Sequence, residues 1–143
     1  MNHVLRIDAS MRAEQSHSRK LLNHLMDRFD HKTTHIQYRD LSEHLPLVNE
    51  AWIDMVARAK ETFHYTADGP EGLLQNKRAI IVITSGGTKL GSDIDFVSGY
   101  LRHVFAFIGI KDLTFVDASG INRNEETVLA RARQQIDAIK LHV

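Results

Sequence analysis

The chain has 143 residues, 43% of them hydrophobic, and its 18 Lys plus Arg balance 18 Asp plus Glu, so the formal net charge is zero. That length suits one domain, residues 1–143, with a real core, and the charge balance argues against a nucleic-acid partner, which needs a basic excess to displace counterions. Cysteine is absent, which removes disulfides, thiolate metal sites and cysteine nucleophiles.

The first apolar run, Val4, Leu5 and Ile7, reads as a buried strand. A polar turn with Ser10, Ser16 and Ser18 follows. A helix comes next, with an apolar stripe at 21, 22, 25, 26 and 29. Thr34 to Tyr38 reads as a second strand from its β-branched and aromatic content, and Leu41 to Glu50 as loop. Ala51 to Thr62 resumes as helix, with Trp52, Val56 and Ala59 on one face. FHYTADGPEGLL carries Asp68-Gly69-Pro70, a turn signal, and reads as a hairpin outside the main layers.

Ala79 to Thr84, AIIVIT, has the continuous apolar character of a central strand covered on both faces. It ends in Ser85-Gly86-Gly87. Ser92 and Asp95 predict a capping box for a helix with apolar positions 97, 100, 101, 104, 105 and 108. Gly109 sits where a glycine stop belongs. Leu113 to Val116 reads as a strand. Asn124, Glu125 and Glu126 open a last helix with the stripe Val128, Leu129, Ala132, Ile136 and Ile139.

Strand and helix patterns alternate, so the class is α/β with a mainly parallel sheet. Ligands in such sheets sit outside the carboxyl ends of the strands. Two such ends carry suggestive loops. In the first, the helix start leaves N–H groups unpaired and carries partial positive charge. The Ser16 and Ser18 hydroxyls and the His17 backbone N–H add donors for a phosphate there, and Arg12 and Arg19 offset its charge. Serines that merely cap the helix are the alternative. In the second, Gly86 and Gly87 permit close backbone approach to a flat or charged ligand, or simply make a tight turn. Together the loops point to a nucleotide-like ligand.

Nine histidines invite a metal site. The chain has no HExxH pattern, and His31 and His35 flank Thr33 and Thr34, which favour loop or strand over helix, so no metal is expected. Asp8 at a strand end fits a phosphoacceptor only beside an acidic cluster and a later lysine, which LTFVDASG lacks. No apolar run reaches the length of a membrane span, and Met1 to Ile7 is too short for a signal peptide. The expectation is a cytoplasmic protein with no membrane partner.

Several segments in sequence order resemble the FMN-dependent NADH-azoreductase family of flavodoxin-like quinone and azo-dye reductases. They are the turn with Ser10 and Ser16-His17-Ser18, then AWIDMVARAKETFHYTADGPEGLL with its FxYTxxGPEGL signature, then AIIVITSGGT and YLRHVFAFIGIKDLTFVDASGI. The resemblance implies a flavodoxin-like three-layer sandwich. It implies an FMN phosphate held by Ser10, Ser16, His17 and Ser18, and a flavin ring along Thr84, Ser85, Gly86 and Gly87. Ser85 stands where the family often has an arginine. Phe63 and Tyr65 fall in the stretch that walls the substrate pocket. The implied activity is NADH-dependent two-electron reduction of quinones and azo compounds, in a homodimer.

The resemblance also implies a departure. Family members carry a further helix, a central strand and a PMYNF-type loop where LPLVNE here runs straight into AWID, so a helix–strand unit of about 30 or more residues is missing. The central strand would lie between the first strand and AIIVIT. Three arrangements answer its loss: the first strand pairs directly with Ala79 to Thr84, a partner chain fills the gap, or the chain is a shortened remnant serving as a non-enzymatic binding or assembly module.

Overall fold

The computed structural model describes residues 2–10, 12, 15–42, 53, 54 and 56–141. In chain order these form β1 (Asn2–Asp8), α1 (His17–Met26), β2 (Thr34–Asp40), β3 (Phe63–Thr66), β4 (Gly69–Gly72), β5 (Arg78–Ser85), α2 (Phe96–Phe107), β6 (Asp112–Ser119) and α3 (Glu125–Ala138). Two βαβ crossovers give two parallel pairs. β1 pairs with β2 in the register Asn2↔Thr34 to Asp8↔Asp40, and β5 pairs with β6 from Arg78↔Asp112 to Ser85↔Ser119. The hairpin β3–β4 is antiparallel, as the Asp68-Gly69-Pro70 signal required.

The parallel sheet is therefore in two pieces. Among the described residues no ladder joins β1 to β5, so the direct pairing of the first strand with Ala79 to Thr84 does not occur. The halves are held instead by one apolar cluster. Leu21, Leu25 and Met26 of α1 meet Val128, Ala132 and Ile136 of α3, with Val116 and Ala118 of β6, and Val4 of β1, Ile36 of β2 and Ile80 and Val82 of β5 pack against them. The stripes at 3.6-residue spacing thus do what a continuous ladder does elsewhere: they remove apolar surface of both halves from water at about 25 cal/mol per Å².

Other expectations are corrected by local chemistry. β5 is half-buried from Ala79 to Ser85 rather than covered on both faces. Asp95, not Ser92, caps α2: its carboxylate accepts from Val97 N and Ser98 N. The N–H of Gly91, ahead of the Ser98 hydroxyl, is the main cause that lowers the Asp95 pKa to about 2. The helix expected over Ala51–Thr62 ends early. Ala57 N still donates to Ile53 O at 2.8 Å. The Thr62 hydroxyl then accepts from Arg58 N and donates to Val56 O, and Lys60 takes φ 70°. Trp52 and most of the expected loop, 43–50, lie outside the described residues. Val97 and Tyr100, assigned to the buried stripe of α2, are 55% and 49% exposed. Gly109 closes that helix at φ 102°, as its position required.

The hairpin is fixed by backbone contact. A Cβ on Gly72 would meet Gly109 N at 2.1 Å, and Leu74 N donates to Ile108 O at 2.9 Å. Gly72→Ala therefore loses on the order of 3 kcal/mol, read as a fall in Tm. Gly99→Ala changes Tm in the opposite direction. A Cβ there meets nothing within 4 Å, and alanine in a helix interior gains about 0.5–1 kcal/mol over glycine.

Candidate functional site

The serine turn becomes a polar mouth at the start of α1. Ser16 is the N-cap; its hydroxyl accepts from Arg19 N at 3.3 Å and lies 2.9 Å from the Ser18 hydroxyl. Lys20 N donates to Ser16 O. The backbone N–H groups of His17 and Ser18 are then the first-turn donors left without a helical acceptor. Ser10 joins the same turn, its hydroxyl accepting from Arg12 N at 3.3 Å. Capping and anion binding are thus not alternatives: Ser16 caps, and the two amides and the hydroxyls remain for an anion. Ser16 is 2% exposed, and His17 Nδ1 is buried with no hydrogen-bond partner. The unpaired amides at the positive end of α1, with the Ser10 and Ser18 hydroxyls beside them, suit an anionic ligand. The mouth fits a phosphate.

The charge around it differs from expectation. Arg19 is not free to neutralise a ligand. Its guanidinium donates to Asp40 Oδ2 at 2.5 Å, Ser42 Oγ at 2.9 Å and Ser10 O at 3.0 Å, and it lies 3.7 Å from Asp8. Asp8, 2% exposed, is met by Arg6 Nη2 at 2.9 Å and by the Tyr38 hydroxyl at 3.1 Å. The hydrogen bond from Arg19 holds the Asp40 carboxyl well below the usual carboxylate range, with help from Ser42. Asp40 in turn raises Arg19. Burial, then the bond to Asp8, pushes the Tyr38 hydroxyl up. This network anchors the end of β1 and the turn to the end of β2. The positive end of α1 and the exposed Arg12 are what remain to meet an anion.

The second loop follows β5. Its backbone is tied to the turn after β6: Gly120 N and Ile121 N donate to Ser85 O, and Asn122 N donates to Gly86 O. A Cβ on Gly86 would meet Asn122 Nδ2 at 2.5 Å, whereas Gly87 faces open space. Gly86 thus lies against the Asn122 side chain, and Gly87 is the one that lets a ligand approach. The Ser85 hydroxyl donates to Thr88 O. The two loops share one end of the molecule, because the α1 and α3 N-termini are adjacent, with His17 Nδ1 3.6 Å from Glu125 Oε1. Phe63 and Tyr65 part company. Phe63 is 7% exposed and packs on Phe107 with ring centroids 4.5 Å apart. Tyr65, 74% exposed, is the one available to a substrate. The reading from sequence missed Asn122 and Asp40. An Asn two residues beyond the Ser119-Gly120 at a strand end, and an Asp ending a strand beside a basic turn, were the available signals.

A family model described as "Flavodoxin-like fold" matches residues 44–140. An FMN-dependent NADH:quinone oxidoreductase 1 of Colwellia psychrerythraea is 36% identical over 96% of this chain and 100% of its own length. Another of that name from Jannaschia sp. is 35% identical over 97% and 99%. A crystal structure of an azoreductase from Bacillus anthracis matches in fold with TM-score 0.82 at 20% identity, covering 96% of this chain and 98% of that one. The flavodoxin-like fold expected from the sequence is thus confirmed. The alignment to the Colwellia protein spans 191 positions, but 96% of 143 residues is about 137, so about 54 of its positions have no counterpart here.

The Arg19–Asp40 pair gives a pH signature. Folding lowers the Asp40 pKa, so the pair's stabilisation is complete above the carboxyl's ordinary value and is lost as pH falls through the folded value. Asp40→Asn should cost about 2 kcal/mol at pH 7. In thermal melts its Tm deficit should narrow steadily below about pH 4. A deficit that stays constant from pH 7 to pH 3 contradicts the assignment.

Proposed function

The chain belongs to the flavodoxin-like family that holds the FMN-dependent NADH:quinone oxidoreductases, and on that premise we propose that it is an FMN-dependent enzyme reducing quinones or azo compounds with NADH. The observation that carries this reading is the phosphate-shaped mouth of α1, found in a chain 36% identical to such an enzyme over nearly its whole length. FMN held at this site would supply the redox chemistry, accepting hydride from NADH and passing two electrons to the acceptor.

The protein's part is to bind and orient. Backbone N–H groups of His17 and Ser18, with the hydroxyls of Ser10, Ser16 and Ser18, hold the phosphate at the positive end of α1. The loop Thr84, Ser85, Gly86 and Gly87 would hold the flavin ring, its backbone amides tuning the ring's electronics and Gly87 allowing close contact. With Ser85 in place of an arginine, that tuning comes from neutral dipoles. Tyr65 borders the acceptor, while Phe63 holds the hairpin that presents it. No side chain in this assignment serves as an obligatory acid or base.

A homodimer is part of the proposal. Ile94, Phe96, Val97 and Tyr100, at and before the start of α2, are 49–78% exposed, an apolar surface that a second copy would cover. Among the described residues no helix is long and apolar enough to cross a membrane. A cytoplasmic setting, where NADH is available, completes the reading, with the whole chain acting as one domain.

Purified protein given FMN should turn yellow and oxidise NADH only when a quinone is added. Ser18→Ala should weaken FMN binding about tenfold, the value of one hydrogen bond to a charged group. Its Tm should hold, because Ser16 rather than Ser18 caps the helix. Protein that stays colourless and inactive with added FMN overturns the proposal in favour of a non-enzymatic remnant.

A further inference from the structure

The interrupted sheet has a definite shape. β1 and β5 each pair on one side only, among the described residues. Both send residues into the same apolar cluster, Val4 from one and Ile80 and Val82 from the other. They also point the same way. β1 leads to the N-terminus of α1, β6 leads to that of α3, and those two N-termini meet at His17 and Glu125; β5 runs parallel to β6. Two parallel strands thus stand over one core, each with an unused edge among the described residues.

The apolar content of these strands is unusual for open edges. Ala79-Ile80-Ile81-Val82-Ile83 is the most apolar run in the sheet, yet all five stay half-buried. Leu5 of β1 is 55% exposed, so one face of β1 also lacks cover. Proteins ordinarily protect edges of this kind with charge, proline or a covering element. The Colwellia relative has about 54 aligned positions without a residue here, room for one strand and one helix with their turns.

We propose that the edges of β1 and β5 form an acceptor site for a β-strand supplied by a separate polypeptide, an apolar helix–strand segment that inserts parallel to both. Recognition is by strand addition on two sides at once. The strand's N–H and C=O groups meet the alternate backbone groups of β1 and β5 left over from their existing ladders, and its side chains enter the cluster beside Val4 and Ile80. The accompanying helix covers Leu5. This inference rests on the family's sheet and not on flavin, so the two readings fail separately.

The test uses the internal segment of the Colwellia relative that aligns with nothing in this chain, made as a separate polypeptide and mixed with the full chain. We expect a one-to-one complex by light scattering. Hydrogen exchange should slow at least about 100-fold at those amides of His3–Ile7 and Ile80–Thr84 not used in the β1–β2 and β5–β6 ladders. A proline at the centre of the segment's strand should abolish both effects without touching the folding of the chain. If the chain alone is unfolded, folding on addition of the segment supports the proposal equally. No complex at tens of micromolar overturns it, as does a complex without edge protection. A homodimer of the unmixed chain with those amides already protected also overturns it, because the acceptor site is then filled by a second copy. Flavin titration of the unmixed chain reads the proposed function independently.

Discussion

The structure depends on one contact, the buried stripe of α1 against that of α3. Leu21 and Leu25 lie beneath both strand pairs and meet Ala132 and Ile136. With no ladder between β1 and β5, this apolar contact is what keeps the serine turn and the glycine loop in one molecule. Alanine at 132 matters here: its small side chain lets the helices approach closely, and it is fully buried. Burial is non-directional, so the core alone would not fix the relative height of the halves. The polar links add direction. Arg28 donates from the end of α1 to Ile139 O at 2.8 Å, and His24 meets Asp137 at 2.8 Å.

The same helix serves the chemistry at its other end. Its N-terminal turn is built by Ser16, held to β2 through Arg19 and Asp40, and left with two free amides. The Arg19 network shows why a basic residue near a phosphate site need not touch the phosphate. A guanidinium already paired with one carboxylate and close to a second is electrostatically spent, and its value lies in fixing the geometry of the donors that remain. The glycine loop follows the same logic. Ser85 and Gly86 are pinned by the turn after β6, which leaves Gly87 as the contact position.

Elements were legible wherever one period dominated: the 3.6-residue stripes of α1 and α3, the β-branched runs of β5 and β6, and the turn at Gly69-Pro70. Caps were legible where one residue stood alone, as Asn124 did. Where Ser92 and Asp95 competed, Asp95 won because its carboxylate reaches Gly91, Val97 and Ser98 together, which no local rule weighs. Arg19 was misjudged because its partners, Asp40 and Ser42, arrive from β2. The half-burial of Ile81 and Ile83 was hidden for a different reason. The run is written for a covered central strand, and what would cover it lies outside the chain's own pattern. The absent helix–strand unit, by contrast, was inferred from a direct join between LPLVNE and AWID, and the about 54 unmatched positions of the Colwellia relative are enough for such a unit.

The central claim is that an anion sits on the two unpaired amides at the mouth of α1. A proton–nitrogen correlation spectrum of the chain, titrated in turn with inorganic phosphate, riboflavin and FMN, tests it most directly. The account predicts that the His17 and Ser18 amide signals move with phosphate and with FMN and stay still with riboflavin, which carries the ring but no phosphate. Stationary His17 and Ser18 signals under FMN, or signals that move equally with riboflavin, would contradict it.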